Sequence, residues 1–263
     1  MKNYIVTSLN KELLNEYAHN FLETYLRYNI PADLYVYVED DVSNYSEYSN
    51  SGIKFINLFE QDAECEAFVK RHAKKQAVNY KVDAVRFCYK VFAQYLGAKN
   101  SGRRMYWIDA DCVFVKPIPE KWFEEVLNNS MVAFFDRPNF YSECGFIGYD
   151  TQHPECYNFL NEFRRLYVSD DIFNFKEYHD SYIFDRVRDW ASVSLWNSAY
   201  STSTNYSETK LGNPEGDLHI MARDPQVSPY IDHKKGPRKS QEHSPEWVKF
   251  MGELRQGPPT SGQ

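Results

Sequence analysis

The sequence predicts an α/β fold: a mixed, mainly parallel sheet flanked by helices, followed by an irregular C-terminal wrap. Three observations predict it. Short runs rich in Val, Ile, Tyr and Phe alternate with longer stretches of helical period through the first half of the chain. Residues that stop helices, such as Asn29 and Pro31, fall at the boundaries between them. No repeat, long linker or break in composition divides the chain, so residues 1–254 read as one domain with a disordered tail over 255–263.

The elements follow in order. "YIVTSL" at 4–9 is the first strand. Over 11–28, Leu14, Tyr17, Ala18, Phe21, Leu22 and Tyr25 recur on one helical face. "DLYVYVED" at 33–40 and "IKFINLF" at 53–59 are the next strands. A helix over 83–96 turns Val85, Cys88, Phe92 and Leu96 inward and is expected to end at Gly97. "MYWI" then leads to Asp109 and Asp111, and "MVAFFD" at 131–136 and "CGFIGYD" at 144–150 read as strands. Pro154 marks a helix start, 179–190 reads as another helix, and the polar remainder from 192 reads as loops.

Composition narrows the function. A formal net charge of −7 gives no global attraction to nucleic acid, although a local basic groove stays open. Five cysteines without a Cys-x-x-Cys spacing fit reduced thiols better than a disulfide framework, with Cys88 and Cys112 in apolar settings. The start of the chain lacks a signal-peptide hydrophobic region, and no apolar run approaches the roughly 20 residues of a membrane span. A soluble cytoplasmic protein is therefore expected, in the host cytoplasm if the source is viral. Aromatic residues make up 17% of the chain, which suits packing and also stacking on sugars or bases.

"MYWIDADCVFVKPI" at 105–118 carries the main chemical signal. Carboxylates are costly to bury without a partner, yet Asp109 and Asp111 sit between two apolar stretches. At the carboxyl end of a parallel strand, where ligands gather in such sheets, the pair can both reach a divalent cation. Hard oxygen donors suit Mn²⁺ or Mg²⁺. The same Asp-x-Asp spacing also occurs in solvated turns. The second signal is "YIDHKKGPRK" at 230–239. His233 could complete a metal site, and Lys234, Lys235, Arg238 and Lys239 could neutralise a diphosphate, with Gly236 admitting backbone amides to it. On its own that stretch also reads as a basic surface loop.

Together these motifs resemble the GT-A class of nucleotide-sugar glycosyltransferases, above all the retaining branch containing glycogenin and the bacterial lipopolysaccharide galactosyltransferases. The resemblance follows the order of elements over residues 2–240. It rests on "IDADCVF" and on "HKKGPRK", which is similar to that branch's His-x-x-Gly-x-x-Lys loop. It implies that Asp109, Asp111 and His233 hold Mn²⁺ or Mg²⁺. It also implies that Lys235, Gly236 and Lys239 bind the diphosphate, and that Thr7, Ser8, Asn10 and Ala110 border the nucleotide. Arg86 is implied as the basic donor contact of the helix before the metal motif, with Lys81 nearby. "ECGFIGYD" resembles the strand lining the sugar pocket, and "YHDSYIF" the acidic helix start facing the reacting sugar, which nominates Glu143 and Asp180. Each has a plainer reading: Arg86 as surface, Asp180 as an N-cap, Glu143 as solvated. The chain departs from the family where Glu143-Cys144-Gly145 replaces Asn-Ser-Gly, His179-Asp180 replaces Asp-Gln, and Ser240-Gln241 replaces Pro-Trp.

The expected activity is metal-dependent transfer of a sugar, from a UDP-sugar first, to an acceptor hydroxyl of a saccharide or lipopolysaccharide-type glycan. Inversion would require Asp180 or Glu143 as base, whereas retention needs none. An acceptor on a hydroxymethylated base of viral DNA is one alternative, for which "KRHAKK" at 70–75 could contact the backbone. A non-catalytic sugar- or nucleotide-binding protein is another. Phosphate-loop and Gly-x-Gly-x-x-Gly motifs are absent, which disfavours an NTPase or a dinucleotide oxidoreductase.

Overall fold

A computed structural model describes residues 3–74, 77–100, 102–137, 139–194, 206–212 and 220–234. Its strands are β1 (Asn3–Leu9), β2 (Asp33–Val38), β3 (Lys54–Asn57), β4 (Arg104–Ile108), β5 (Cys112–Phe114), β6 (Val132–Phe135), β7 (Glu143–Asp150), β8 (Glu208–Leu211) and β9 (Ile231–His233). Its α-helices are α1 (Lys11–Leu13), α2 (His19–Arg27), α3 (Leu58–Gln61), α4 (Ala63–His72), α5 (Ala84–Asn100), α6 (Trp122–Leu127), α7 (Cys156–Val168) and α8 (Asp180–Ser194). Seven strands form one sheet in the order β3-β2-β1-β4-β7-β6-β8, and β5 pairs with β9 in a separate ribbon. β3, β2, β1 and β4 run parallel, whereas β7 is antiparallel to both of its neighbours.

Period-two alternation splits the core into two layers. Ile5, Leu9, Tyr106 and Ile108 face the layer covered by α2 and α6. Val6, Met105 and Trp107 face the opposite layer, covered by α4, α5, α7 and α8. The mixed, mainly parallel sheet is thus observed.

Two expectations are corrected. The helix before "MYWI" does not stop at Gly97 but continues to Asn100. Gly97 is there for packing: a Cβ would lie 2.6 Å from Val6 Cγ2 and 2.9 Å from Met105 Sδ, so only glycine lets α5 approach the sheet this closely. The polar C-terminal stretch is not all loop either. Residues 208–211 add an edge strand parallel to β6, and 231–233 pair with β5. Such short strands carry too little periodicity to stand out in sequence; partners more than 70 residues away define them. The 255–263 tail lies outside the described residues. All five cysteines are buried thiols, and among the described residues no helix is long and apolar enough to cross a membrane.

Candidate active site

The site forms beyond the carboxyl ends of β1, β2 and β4, where a parallel sheet leaves a crevice. β4 delivers Asp109, whose amide donates to the Gly145 carbonyl at 2.9 Å. The Cys112 amide donates back to the Asp109 carbonyl at 2.9 Å, closing a tight turn that carries Asp111. The two acids diverge from this turn.

Asp109 turns toward α5. Lys90, buried there, donates to Asp109 Oδ1 at 2.8 Å and to the Cys144 carbonyl at 2.5 Å, and its Nζ lies 2.7 Å from Asp180 Oδ2. An ammonium has three N–H donors, and each has an acceptor here. Trp107 Nε1 donates to the same Asp109 oxygen at 2.6 Å. Burial alone would push the Lys90 ammonium down, but Asp109 and Asp180 outweigh it and hold its pKa above the ordinary lysine value. For Asp180, burial pushes up, and Lys90 more than offsets this, so the carboxyl is held below its usual range. Asp109 goes the other way: burial raises it, Lys90 opposes, and the nearby charges of Asp111 and Asp180 raise it further.

Asp111 faces His233, with Nε2 3.0 Å from Asp111 Oδ1. The β5–β9 ribbon makes this contact possible, because it sets Cys112 directly opposite His233, and the Lys234 amide extends it by donating to the Asp111 carbonyl at 2.8 Å. Gly145 completes the seat: a Cβ there would come within 2.8 Å of His233 Cε1. His233 Nδ1 lies 3.7 Å from Glu143 Oε1, and Arg137 holds the other Glu143 oxygen at 3.4 Å.

The donor set fits a hard divalent cation in part. Asp111, Cys112 and His233 offer ligand atoms within 4.8 Å of one another. A carboxylate and an imidazole suit Mn²⁺ or Mg²⁺. The Cys112 thiol is pushed well up by burial and the adjacent carboxylates, so it stays protonated and is a poor ligand. The expected Asp109 ligand is not in this group; its Oδ1 accepts from Lys90 and Trp107.

A cavity of about 470 Å³ opens above these groups, bordered by Ser8, Asn10, Tyr17, Glu39, Arg86 and Asp180 among others. Ser8, Asn10, Arg86, Asp109, Ala110, Asp111 and Asp180 thus meet at one crevice. Thr7 does not: it is fully buried and shares its strand face with Ile5 and Leu9, turned into the core. Lys81 borders a neighbouring cavity instead. Glu143 stands behind His233 and borders neither. Lys235, Gly236 and Lys239 lie outside the described residues.

Three contributors escape the sequence reading. Lys90 had a signal, a lone lysine one turn after Arg86 inside the apolar "RFCYKVFAQYL". Tyr17 reads as an ordinary core residue of the first helical stretch, yet it borders the cavity. Glu39 follows β2, accepts from Asn10 Nδ2 at 3.1 Å, and is raised by burial to about 7.

Comparison with known protein families finds no match, and neither does comparison with curated proteins. Among solved structures, the galactosyltransferase LgtC in complex with donor and acceptor sugar analogs superposes with a TM-score of 0.53 at 10% identity, over 99% of this chain and 98% of that one. The glycosyltransferase GlyE of Streptococcus pneumoniae TIGR4 gives 0.52 at 13% identity, over 100% of this chain and 67% of that one. Against the bifunctional WbbM the TM-score is 0.47 at 14% identity over 71% of this chain, which spans only 37% of that longer protein. The likeness is one of fold: the chain has the GT-A-like glycosyltransferase architecture that its motifs resemble.

Proposed function

We propose that the chain is a metal-dependent glycosyltransferase that moves a sugar from a nucleotide-diphosphate sugar, a UDP-sugar first, to an acceptor hydroxyl. One observation carries this reading. Asp109 and Asp180, 71 residues apart in sequence, meet across Lys90 beside the Asp111–His233 pair, at a crevice of the size a nucleotide needs.

The residues divide the work by chemistry. Ser8, Asn10, Tyr17 and Glu39 border the part of the cavity nearest β1 and β2 and suit a nucleoside. Arg86 offers charge-assisted donors to the diphosphate. Asp111 and His233 would hold Mn²⁺ or Mg²⁺, which when bound supplies the positive charge that makes a diphosphate a competent leaving group.

Asp180 suits stabilisation of positive charge at the sugar rather than proton removal. Held ionised by Lys90, it is a weak base and a persistent negative charge. Glu143, beside His233 and paired with Arg137, does not border the cavity and is poorly placed to act as base. Both points favour retention of anomeric configuration.

Calorimetric titration of UDP, GDP, CDP and dTDP, with and without Mn²⁺, tests the reading. Tight binding of one nucleotide that requires both the metal and an intact Asp111, lost in Asp111→Ala, is the expected result. Nucleotide binding indifferent to metal and to Asp111→Ala would instead identify a non-catalytic binding protein.

A further inference from the structure

Among the acids bordering the donor crevice, Asp109 and Asp180 share Lys90, and Asp111 has His233. Glu39 has no cationic partner among the described residues, and the resemblance gives it no role. We propose that Glu39 is the residue that selects the nucleobase, by presenting one hydrogen-bond donor and one acceptor side by side to the base edge. The inference rests on the nucleotide-sugar reading above, which sets the diphosphate at the Asp111–His233 corner and so sends the nucleoside toward the ends of β1 and β2.

Backbone pairing fixes the position of Glu39. Its amide donates to the Leu9 carbonyl at 3.4 Å, which carries the β1–β2 pairing one residue past β2 and sets the side chain beside Asn10. Asn10 is oriented in turn. Its Oδ1 accepts the Leu13 amide at 2.9 Å as the cap of α1, so the group it turns to Glu39 is the NH₂, which donates to Oε2 at 3.1 Å. Oε2 is therefore an acceptor, and Oε1 accepts no hydrogen bond among the described residues. A proton on the Glu39 carboxyl belongs on Oε1.

The surroundings favour that proton. Burial pushes Glu39 up to about 7, Asn10 opposes, and Asp40 raises it further. The other neighbours bring no cation. Tyr45, Cys88 and Tyr89 face Glu39 from Val42–Tyr48 and from α5, and each is itself pushed up, by burial first. The Lys11 ammonium is spent on the Asn44 carbonyl and Glu47, and Arg86 borders the cavity without pairing to Glu39. A neutral carboxyl has an O–H donor at Oε1 and a carbonyl at Oε2 with a second lone pair to offer. Uracil presents the complement, an N3–H beside a carbonyl oxygen. Guanine presents N1–H and N2–H₂, two adjacent donors that ask for an ionised carboxylate instead.

Calorimetric titration of UDP and of GDP, with Mn²⁺, into the full chain at about pH 6 and about pH 8 tests this. UDP affinity is expected to fall about tenfold over that range, because the free carboxyl loses its proton through about 7 and the bound one keeps it. At about pH 8, UDP binding should take up about one proton, read from the enthalpy in buffers of different ionisation heat. Glu39→Gln keeps a donor and an acceptor but does not ionise. It should bind UDP as the parent does at about pH 6, stay flat to about pH 8 and take up no proton. Ionisation of the diphosphate is common to both proteins, so the difference between them is the readout. GDP should gain on UDP in the parent as pH rises. A UDP profile that is the same in parent and Glu39→Gln would overturn the proposal, and binding that still needs metal and Asp111 would leave the transferase reading standing. GDP binding that strengthens with pH and is lost in Glu39→Gln would overturn it as well, since Glu39 would then read a base as a carboxylate. Binding of neither nucleotide to the parent at either pH would remove the transferase reading and this proposal with it.

Discussion

Asp109 and Asp111 are separated by one residue, yet they occupy different electrostatic regions. Asp109 belongs to a corner that carries its own permanent cation: Lys90, buried, satisfied on all three donors and shared with Asp180. Asp111 belongs to a corner where the partner is His233, an imidazole that is charged only when protonated. The first corner is closed by contacts within the protein. The second is the one that, in the proposed function, takes an added cation, since a carboxylate and an imidazole can both donate to it. A two-carboxylate motif therefore need not contribute two equivalent metal ligands; the cation nearest each acid decides its role.

Removing Lys90 should have the largest effect on this contrast. Lys90→Met leaves two partly buried carboxylates facing each other and should cost about 3–5 kcal/mol. Urea denaturation would measure it. The loss should shrink as pH falls from about 8 to about 5, since the uncompensated acids then take up protons on folding. A variant as stable as the parent at neutral pH would show that the corner is not a charge triad.

Asp111→Asn should divide the two corners cleanly. Metal-dependent nucleotide affinity should fall by more than the roughly 10–100-fold that losing an outer partner of a ligand costs. Folding stability should move by only about 1 kcal/mol, the net worth of one hydrogen bond. Equal damage to folding would make Asp111 a structural acid.

Gly145→Ala is a gentler probe of the His233 seat. The added methyl must displace the imidazole, at about 1–3 kcal/mol of overpacking and about a tenfold loss of metal-dependent binding. Calorimetry with Mn²⁺ alone would read the second figure without any turnover assay.

The last expected effect is a slope. Burial raises the folded Glu39 carboxyl to about 7 from an unfolded 4.5, so the folded state binds the extra proton between those values. Its contribution to stability is fully present below the unfolded pKa and is lost as pH rises through the folded one. Glu39→Gln should flatten thermal stability across that window, and an unchanged slope would place the titration elsewhere.

The parallel half of the molecule was legible because each of its elements announces itself locally. β1, β2 and α2 carry their own period, and the acids of "IDADC" stand out because charge interrupts an apolar run. The carboxyl-end rule then sets them at the crevice before any coordinates are seen. The later elements were harder to read. Strands of three or four residues such as β8 and β9 exist only because distant backbone completes their hydrogen bonds. Gly97 looked like a helix stop, since sequence does not distinguish a glycine that ends a helix from one that lets a helix touch a sheet.

The amino-acid sequence by itself determined the α/β class, the first elements and the chemical type of the site: acids at a strand end, a late histidine, a basic helix. Tertiary structure alone decided which acid meets which cation. Nothing local distinguishes Asp109 from Asp111, and the apolar setting that marks Lys90 does not say which acids it meets. Their roles come from Coulomb and desolvation energies, which depend on distances of a few ångströms set by residues tens to over a hundred positions apart.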